Sequence, residues 1–330
     1  MPEIISFEEA IEQTRGKDRS LLLGNGFSIE YFSYNSLLEE SGLDKDEPLR
    51  RLFETLGTYD FESVVRALED AGLVEKTYGN DPQAETFQVD ADRLREALVH
   101  AVRETHPAHR EDIAEQIPSC VLFLKNFSKL FTLNYDLLLY WVQLEAAGEF
   151  KDGFGLGTEA AGFLGPFKES AYCNTYNLHG GLHLFKTVEG EVEKRLMGPS
   201  GVIDAIASTI TEGKRLPLYV AEGTSQAKLA KINSVPYLRH CYDQLADREG
   251  SFFIYGHSAD QNDAHIYRAL FKSEIEHIYF FIHRPTADLN AIDGELARYK
   301  RLFASGVDYS FVDSESARIW NYVFERDEDR

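Results

Sequence analysis

Phe131-Thr132-Leu133-Asn134-Tyr135-Asp136 joins two apolar runs, Lys129-Leu130-Phe131-Thr132 before it and Leu137-Leu138-Leu139-Tyr140-Trp141 after it. The pattern predicts a strand that ends in a polar loop and feeds a helix. In open α/β sheets, ligands bind outside the carboxyl ends of strands, so an amide and a carboxylate placed here are candidates for a site. Both residues also cap helices well, which is the plainer reading of this loop taken alone.

Working outward, Ser20-Leu21-Leu22-Leu23 is a compact apolar run bounded by Gly24 and reads as a buried parallel strand. Further strands are predicted at Tyr176-Asn177-Leu178, Gly181–Lys186, Pro217–Val220, Ser251–Tyr255, Ile278–Ile282 and Gly306–Val312, with a hairpin at Glu189-Gly190-Glu191. Helices are predicted at Ser6–Thr14 and over Lys228–Ala246, the latter interrupted at Pro236. Residues 36–115 carry apolar residues three and four apart, as in Phe61-Val64-Val65-Leu68 and Leu94-Ala97-Leu98-Ala101-Val102. They predict a helical layer inserted after the first strand, with residues 78–90 as its loop. A glycine-rich loop is predicted over 148–170, with Gly157 near its middle, and a frayed tail at Glu325–Arg330. Strands alternating with helices predict an α/β fold with a doubly wound, mainly parallel sheet in a single domain.

Composition narrows the function. Lys plus Arg is 34 against 55 for Asp plus Glu, a formal charge of −21, which disfavours direct binding of nucleic acid or anionic lipid. The three cysteines, Cys120, Cys173 and Cys241, are widely spaced and make neither a disulfide framework nor a CxxC zinc half-site. Buried thiols in a reducing cytoplasm are the expectation. No signal pattern opens the chain, and no apolar run approaches the roughly 20 residues that span a bilayer.

Four more loops follow predicted strands. In Gly24-Asn25-Gly26-Phe27-Ser28, the glycines allow a close backbone approach to a pyrophosphate, with Ser28 as a hydroxyl donor or cap. The run is not GxGxxG, because position 29 is Ile, and an ordinary tight turn explains it equally well. Asn134 could orient a ribose hydroxyl or a water, and Asp136 could accept from a carboxamide. In Asn177-Leu178-His179-Gly180-Gly181, His179 has the pKa range for proton transfer, against a plainer reading as a core or capping residue. His183 would share its face if the segment is extended, but a His/His metal pair there lacks a third ligand, so no metal is expected. Gly256, Ser258 and Asp263 lie in the fourth loop, Tyr255–Ile266, where Asp263 is a natural N-cap and Gly256 and Ser258 could approach a ribose. In the fifth loop, Glu222-Gly223-Thr224-Ser225, Thr224 or Ser225 is a helix cap. Asp60 and Glu62 suit the first turn of a helix.

Taken in order, these loops resemble the motifs of the sirtuins. Gly24-Asn25-Gly26-Phe27-Ser28 is similar to the Gly-Ala-Gly-x-Ser loop. Thr132-Leu133-Asn134-Tyr135-Asp136 is similar to Thr-Gln-Asn-Ile-Asp, in the Thr-x-Asn-Tyr-Asp form of bacterial sirtuin-like proteins. His179-Gly180 resembles the catalytic His-Gly, and Gly256-His257-Ser258 with Asn262–Ile266 resembles the ending of the bacterial proteins. The resemblance implies a Rossmann-like domain that takes NAD as substrate. It implies Gly24, Gly26 and Ser28 at the phosphates and ribose, Asp136 at the nicotinamide carboxamide, and Gly256 and Ser258 by the adenosine ribose, with Asn25, Thr132 and Asp263 among the NAD-binding residues. Asn134 and His179 would be catalytic. Two departures, the missing zinc-module cysteines and Leu133 in place of Gln, weaken protein deacylation. They fit the relatives that hydrolyse NAD+ to nicotinamide and ADP-ribose in antiphage defence. Regulation through a homo-oligomer or a HerA-type, DNA-translocating ATPase follows as an expectation. A non-catalytic NAD or ADP-ribose sensor is the alternative.

Overall fold

A computed structural model describes residues 3–32, 37–146, 148–155, 162–197, 201–283 and 288–321. The predicted tail at Glu325–Arg330 and Gly157 of the glycine-rich loop lie outside these residues.

The first half of the chain runs β1 (Ile4–Ile5), α1 (Phe7–Gln13), β2 (Arg19–Leu23), α2 (Pro48–Leu56), α3 (Phe61–Thr77), α4 (Asp81–Thr105), α5 (Ile117–Leu124), β3 (Lys129–Thr132) and α6 (Leu138–Glu145). It continues β4 (Phe163–Leu164), β5 (Thr175–Asn177), β6 (Gly180–Lys186), β7 (Val192–Arg195), α7 (Val202–Thr211), β8 (Pro217–Tyr219), α8 (Ser225–Ser234), α9 (Pro236–Ala246) and β9 (Glu249–Tyr255). The last elements are α10 (Ala264–Lys272), β10 (Glu274–Ile282), α11 (Leu289–Leu302) and β11 (Asp308–Asp313).

Seven strands form one parallel sheet in the order β1-β11-β10-β9-β2-β3-β5. Alternation along the strands explains why helices cover both faces. Leu21, Leu23, Phe253 and Phe281 pack with α1 and the inserted helices, whereas Leu22, Phe252, Ile254 and Phe280 pack with α9, α10 and α11. The fold is therefore Rossmann-like, as predicted. From β2 the chain builds outward through β3 and β5, then returns to the other side of β2 for β9, β10 and β11. This matches the strand order 3-2-1-4-5-6 of dinucleotide-binding folds, and its switch point lies between β2 and β9.

Two predicted strands belong elsewhere. Gly181–Lys186 and Pro217–Val220 contribute β6 and β8 to a separate antiparallel sheet of order β4-β7-β6-β8. Their apolar runs fit either sheet; a short hairpin joins β6 to β7, whereas β8 returns to the other edge of β6 after α7. Between β2 and β3, helices α2, α3 and α4 form the predicted layer. The loop predicted over 78–90 shrinks to a turn, because α4 starts at Asp81 with Pro82 in its first turn. Its first turns are polar because most of their residues face solvent, not because the helix is absent.

At the switch point, the loops leaving β2 and β9 touch backbone to backbone. Gly24 N–H donates to Tyr255 O and Gly26 N–H to Gly256 O, each at 2.8 Å. A Cβ on Gly26 would lie 2.6 Å from Gly256 Cα. One on Gly256, where φ is +70°, would lie 2.6 Å from Phe27 N. Gly256→Ala should therefore destabilise the fold by about 2–4 kcal/mol, from the crowding and the left-handed backbone together. Urea unfolding measures this, and a midpoint equal to wild type would show that the loops are not locked together.

Candidate active site

The loops at the carboxyl ends of β2, β3, β9 and β10 surround a cleft of about 730 Å³, within the range of small-molecule sites. Of the residues picked from the sequence, Asn25, Gly26, His179, Gly256, Ser258 and Asp263 line it. Gly24, Ser28, Thr132, Asn134 and Asp136 stand behind this lining.

The opening motif is pinned from behind. Thr132 Oγ1 accepts the Asn134 N–H at 3.0 Å, as a short turn at the end of β3. Asn134 Nδ2 donates to Gly24 O and to Ser28 Oγ, both at 3.1 Å, so the amide clamps the β2 loop. Its Oδ1 is buried and accepts from no protein group. Asp136 Oδ1 accepts the Leu138 N–H at 2.8 Å, from one residue ahead of the N-cap Leu137, and so holds the start of α6. Beside it, buried His106 accepts the Leu137 N–H on Nε2 at 3.2 Å and uses Nδ1 on Val102 O at 2.8 Å. Burial lowers the pKa of His106 against the pull of the Asp136 carboxylate. The Gly24–Ser28 amides are also engaged internally: Phe27 N–H meets Gly24 O, and Ser28 N–H meets Asn25 O.

The chemistry exposed to the cleft centres on His179. It follows β5 and precedes Gly180, whose positive φ lets the chain turn tightly against Leu218. His179 Nε2 stands 3.4 Å from His265 Nε2 and 3.9 Å from Asp263 Oδ1. Desolvation lowers the His179 pKa to about 3 and that of His265 to about 4, so both rings are neutral at neutral pH. Asp263 occupies the N-cap position of α10, but its side chain makes no cap. Instead it accepts from Lys228 Nζ at 2.7 Å and faces His257 Nε2 at 3.4 Å. His257 Nδ1 accepts from Ala259 N–H and Tyr267 O–H, which leaves its proton on Nε2, towards Asp263. Burial opposes the Asp263 carboxylate, yet the His257 hydrogen bond and the nearby cationic groups hold its pKa well below the usual range.

His183 is not a neighbour of His179. It stacks on Tyr140, with ring centroids 4.7 Å apart and planes 5° apart. Two other helix-start readings hold: Thr224 caps α8, and Asp60 caps α3. Ser225 is drawn away to His265, with Oγ 3.0 Å from Nδ1 and accepting its backbone N–H at 2.8 Å. Asp60 and Glu62 also bind Lys231 of α8, tying the helical layer to the cleft wall.

Lys228, His257 and His265 were not singled out from the sequence. Lys228 did carry a signal, since a cation in the first turn of a helix opposes the helix dipole and calls for an anionic partner. His265 belongs to the stretch Asn262–Ile266 that carries the resemblance, which assigns it no role of its own.

Residues 21–320 match the family described as a domain of unknown function, DUF4917. The chain belongs to this family. No curated protein matches it. Among the described residues, no helix is long and apolar enough to cross a membrane.

Buried neutral histidines also set the pH response. The folded pKa values of His179, His183 and His265 lie below the unfolded value near 6.5, so the unfolded state takes up more protons as pH falls. Stability should be full above about pH 6.5 and fall towards pH 4, by roughly 1.4 kcal/mol per unit for each such histidine. Urea midpoints that stay constant between these values would show that the rings are accessible and charged.

Proposed function

We propose that this protein binds NAD+ in the cleft at the β2/β9 switch point and hydrolyses its nicotinamide N-glycosidic bond. The observation that carries the reading is the placing of His179, buried and neutral, in the wall of a cleft at the switch point of a dinucleotide-type sheet.

The reaction asks for little. Nicotinamide leaves as a neutral ring from a cationic centre, and the transition state resembles an oxocarbenium ion. Glu30, Glu222, Asp260, Asp263 and Asp288 line the cleft against one lysine, Lys228, an excess that suits a positively charged reacting group. His179 supplies a neutral imidazole whose Nε2, facing His265, would take a proton from a ribose hydroxyl or a water. Asn134 contributes through the loop it clamps, and its unpaired Oδ1 is a buried acceptor of the kind functional sites retain at a cost of about 1–3 kcal/mol.

A binding-only role, as a sensor of NAD or ADP-ribose, has one specific observation in its favour. Asn134 Nδ2 and Asp136 Oδ1, the groups the hydrolase reading would turn to the substrate, are engaged within the protein. An NAD-depleting role in antiphage defence, a homo-oligomer and control by a DNA-translocating ATPase belong to the hydrolase reading as its biological setting.

Chromatography of NAD+ digests separates the two. Wild type should release nicotinamide, and His179→Ala or Asn134→Ala should slow release by about 100-fold or more. NAD+ raising the melting temperature with no nicotinamide formed would favour the sensor, and full turnover in His179→Ala would remove the histidine from the reaction.

A further inference from the structure

Among the described residues, His179, Asp263 and His265 bring three donor atoms within 4.8 Å of one another. We propose that these residues form a binding site for a divalent transition-metal cation of the zinc class, with its open side towards the cleft.

The geometry suits such an ion. Two ligands held about 2.0–2.1 Å from a tetrahedral zinc stand roughly 3.3 Å apart. The two Nε2 atoms are 3.4 Å apart, and Asp263 Oδ1 is 3.9 Å from the first of them. Two imidazoles and one carboxylate match the donor preferences of zinc and its neighbours, and three protein ligands leave a fourth position open.

The surroundings also resemble those of metal-binding histidines, whose second ring nitrogen is held by an oxygen acceptor. Ser225 Oγ lies 3.0 Å from His265 Nδ1, so a proton on Nδ1 leaves the Nε2 lone pair facing His179. His257 Nε2 holds Asp263 Oδ2, while Oδ1 is the oxygen turned to the imidazoles. A separate observation is charge: five carboxylates line the cleft against Lys228. The Lys228 ammonium, 2.7 Å from Asp263 Oδ1, holds the position of a cation at this ligand atom. A metal would displace it, so lysine and metal compete. The assignment does not depend on NAD+ being the substrate.

The test is calorimetric titration of Zn2+ into the full chain after chelator treatment, with Co2+ absorption as a check on geometry. Wild type should bind one Zn2+ and give an intense, tetrahedral Co2+ spectrum. His265→Gln should weaken binding by about 100-fold or more, beyond the loss of an outer partner. Lys228→Met removes the competitor and should bind more tightly, with Zn2+ restoring the melting temperature lost when Asp263 is left without its lysine. Equal affinity in wild type and His265→Gln would mean generic binding to an acidic surface and would overturn the site. Weaker or unchanged binding in Lys228→Met would overturn the role of Asp263 Oδ1.

Discussion

The contact between Gly26 and Gly256 governs everything built above it. Two parallel strands, β2 and β9, lie side by side, and their exit loops meet with no side chain between them. That contact closes the floor of the cleft at the point where the winding of the sheet reverses. It also explains the glycines without reference to a ligand, since each is needed for the other loop's approach. A glycine-rich turn after a first strand therefore has two sufficient causes here, and the occupied amides show the structural one at work.

Burial of charge is the second organising constraint. Asp263 is held among His179, His257, His265 and Lys228, where a lone carboxylate would be expensive. The cluster joins four segments: the end of β5, the first turn of α8, the loop after β9 and the start of α10. Their relative placement is set by this polar group as much as by apolar packing around it. Lys231 extends the arrangement to Asp60 and Glu62, so the inserted helices are tied to the wall of the cleft through α8.

Much of this was legible in the chain, for identifiable reasons. Buried parallel strands such as Leu21-Leu22-Leu23 and Phe252-Phe253-Ile254 stand out as apolar runs closed by glycine, and the break at Pro236 falls between α8 and α9. The second sheet was not legible, because the β6 and β8 runs read alike whichever sheet they join. The site was legible only where a residue follows a strand. His179 met that condition; His265 and Lys228 sit on helices and reach the cleft through tertiary packing. No third ligand stands near His179 and His183 along the chain, because the partners of His179 are remote in sequence. The neighbours of His179 come from residues 263 and 265, whereas His183 turns to Tyr140.

His179 is where the two readings of the cleft meet, and they cannot both use the same lone pair. An Nε2 that coordinates a cation has no electron pair left for a proton, so a metal held by Nε2 would oppose base catalysis through that atom. The geometry makes this more than a formal point, since His265, 3.4 Å from Nε2, is also the second candidate ligand. Lys228 then has a definite physical role. By neutralising Asp263 from within the fold, it lowers the affinity of the cluster for an external cation and keeps the imidazole of His179 available. If both proposals hold, the balance between an internal ammonium and an external divalent ion would decide whether Nε2 serves as ligand or as base.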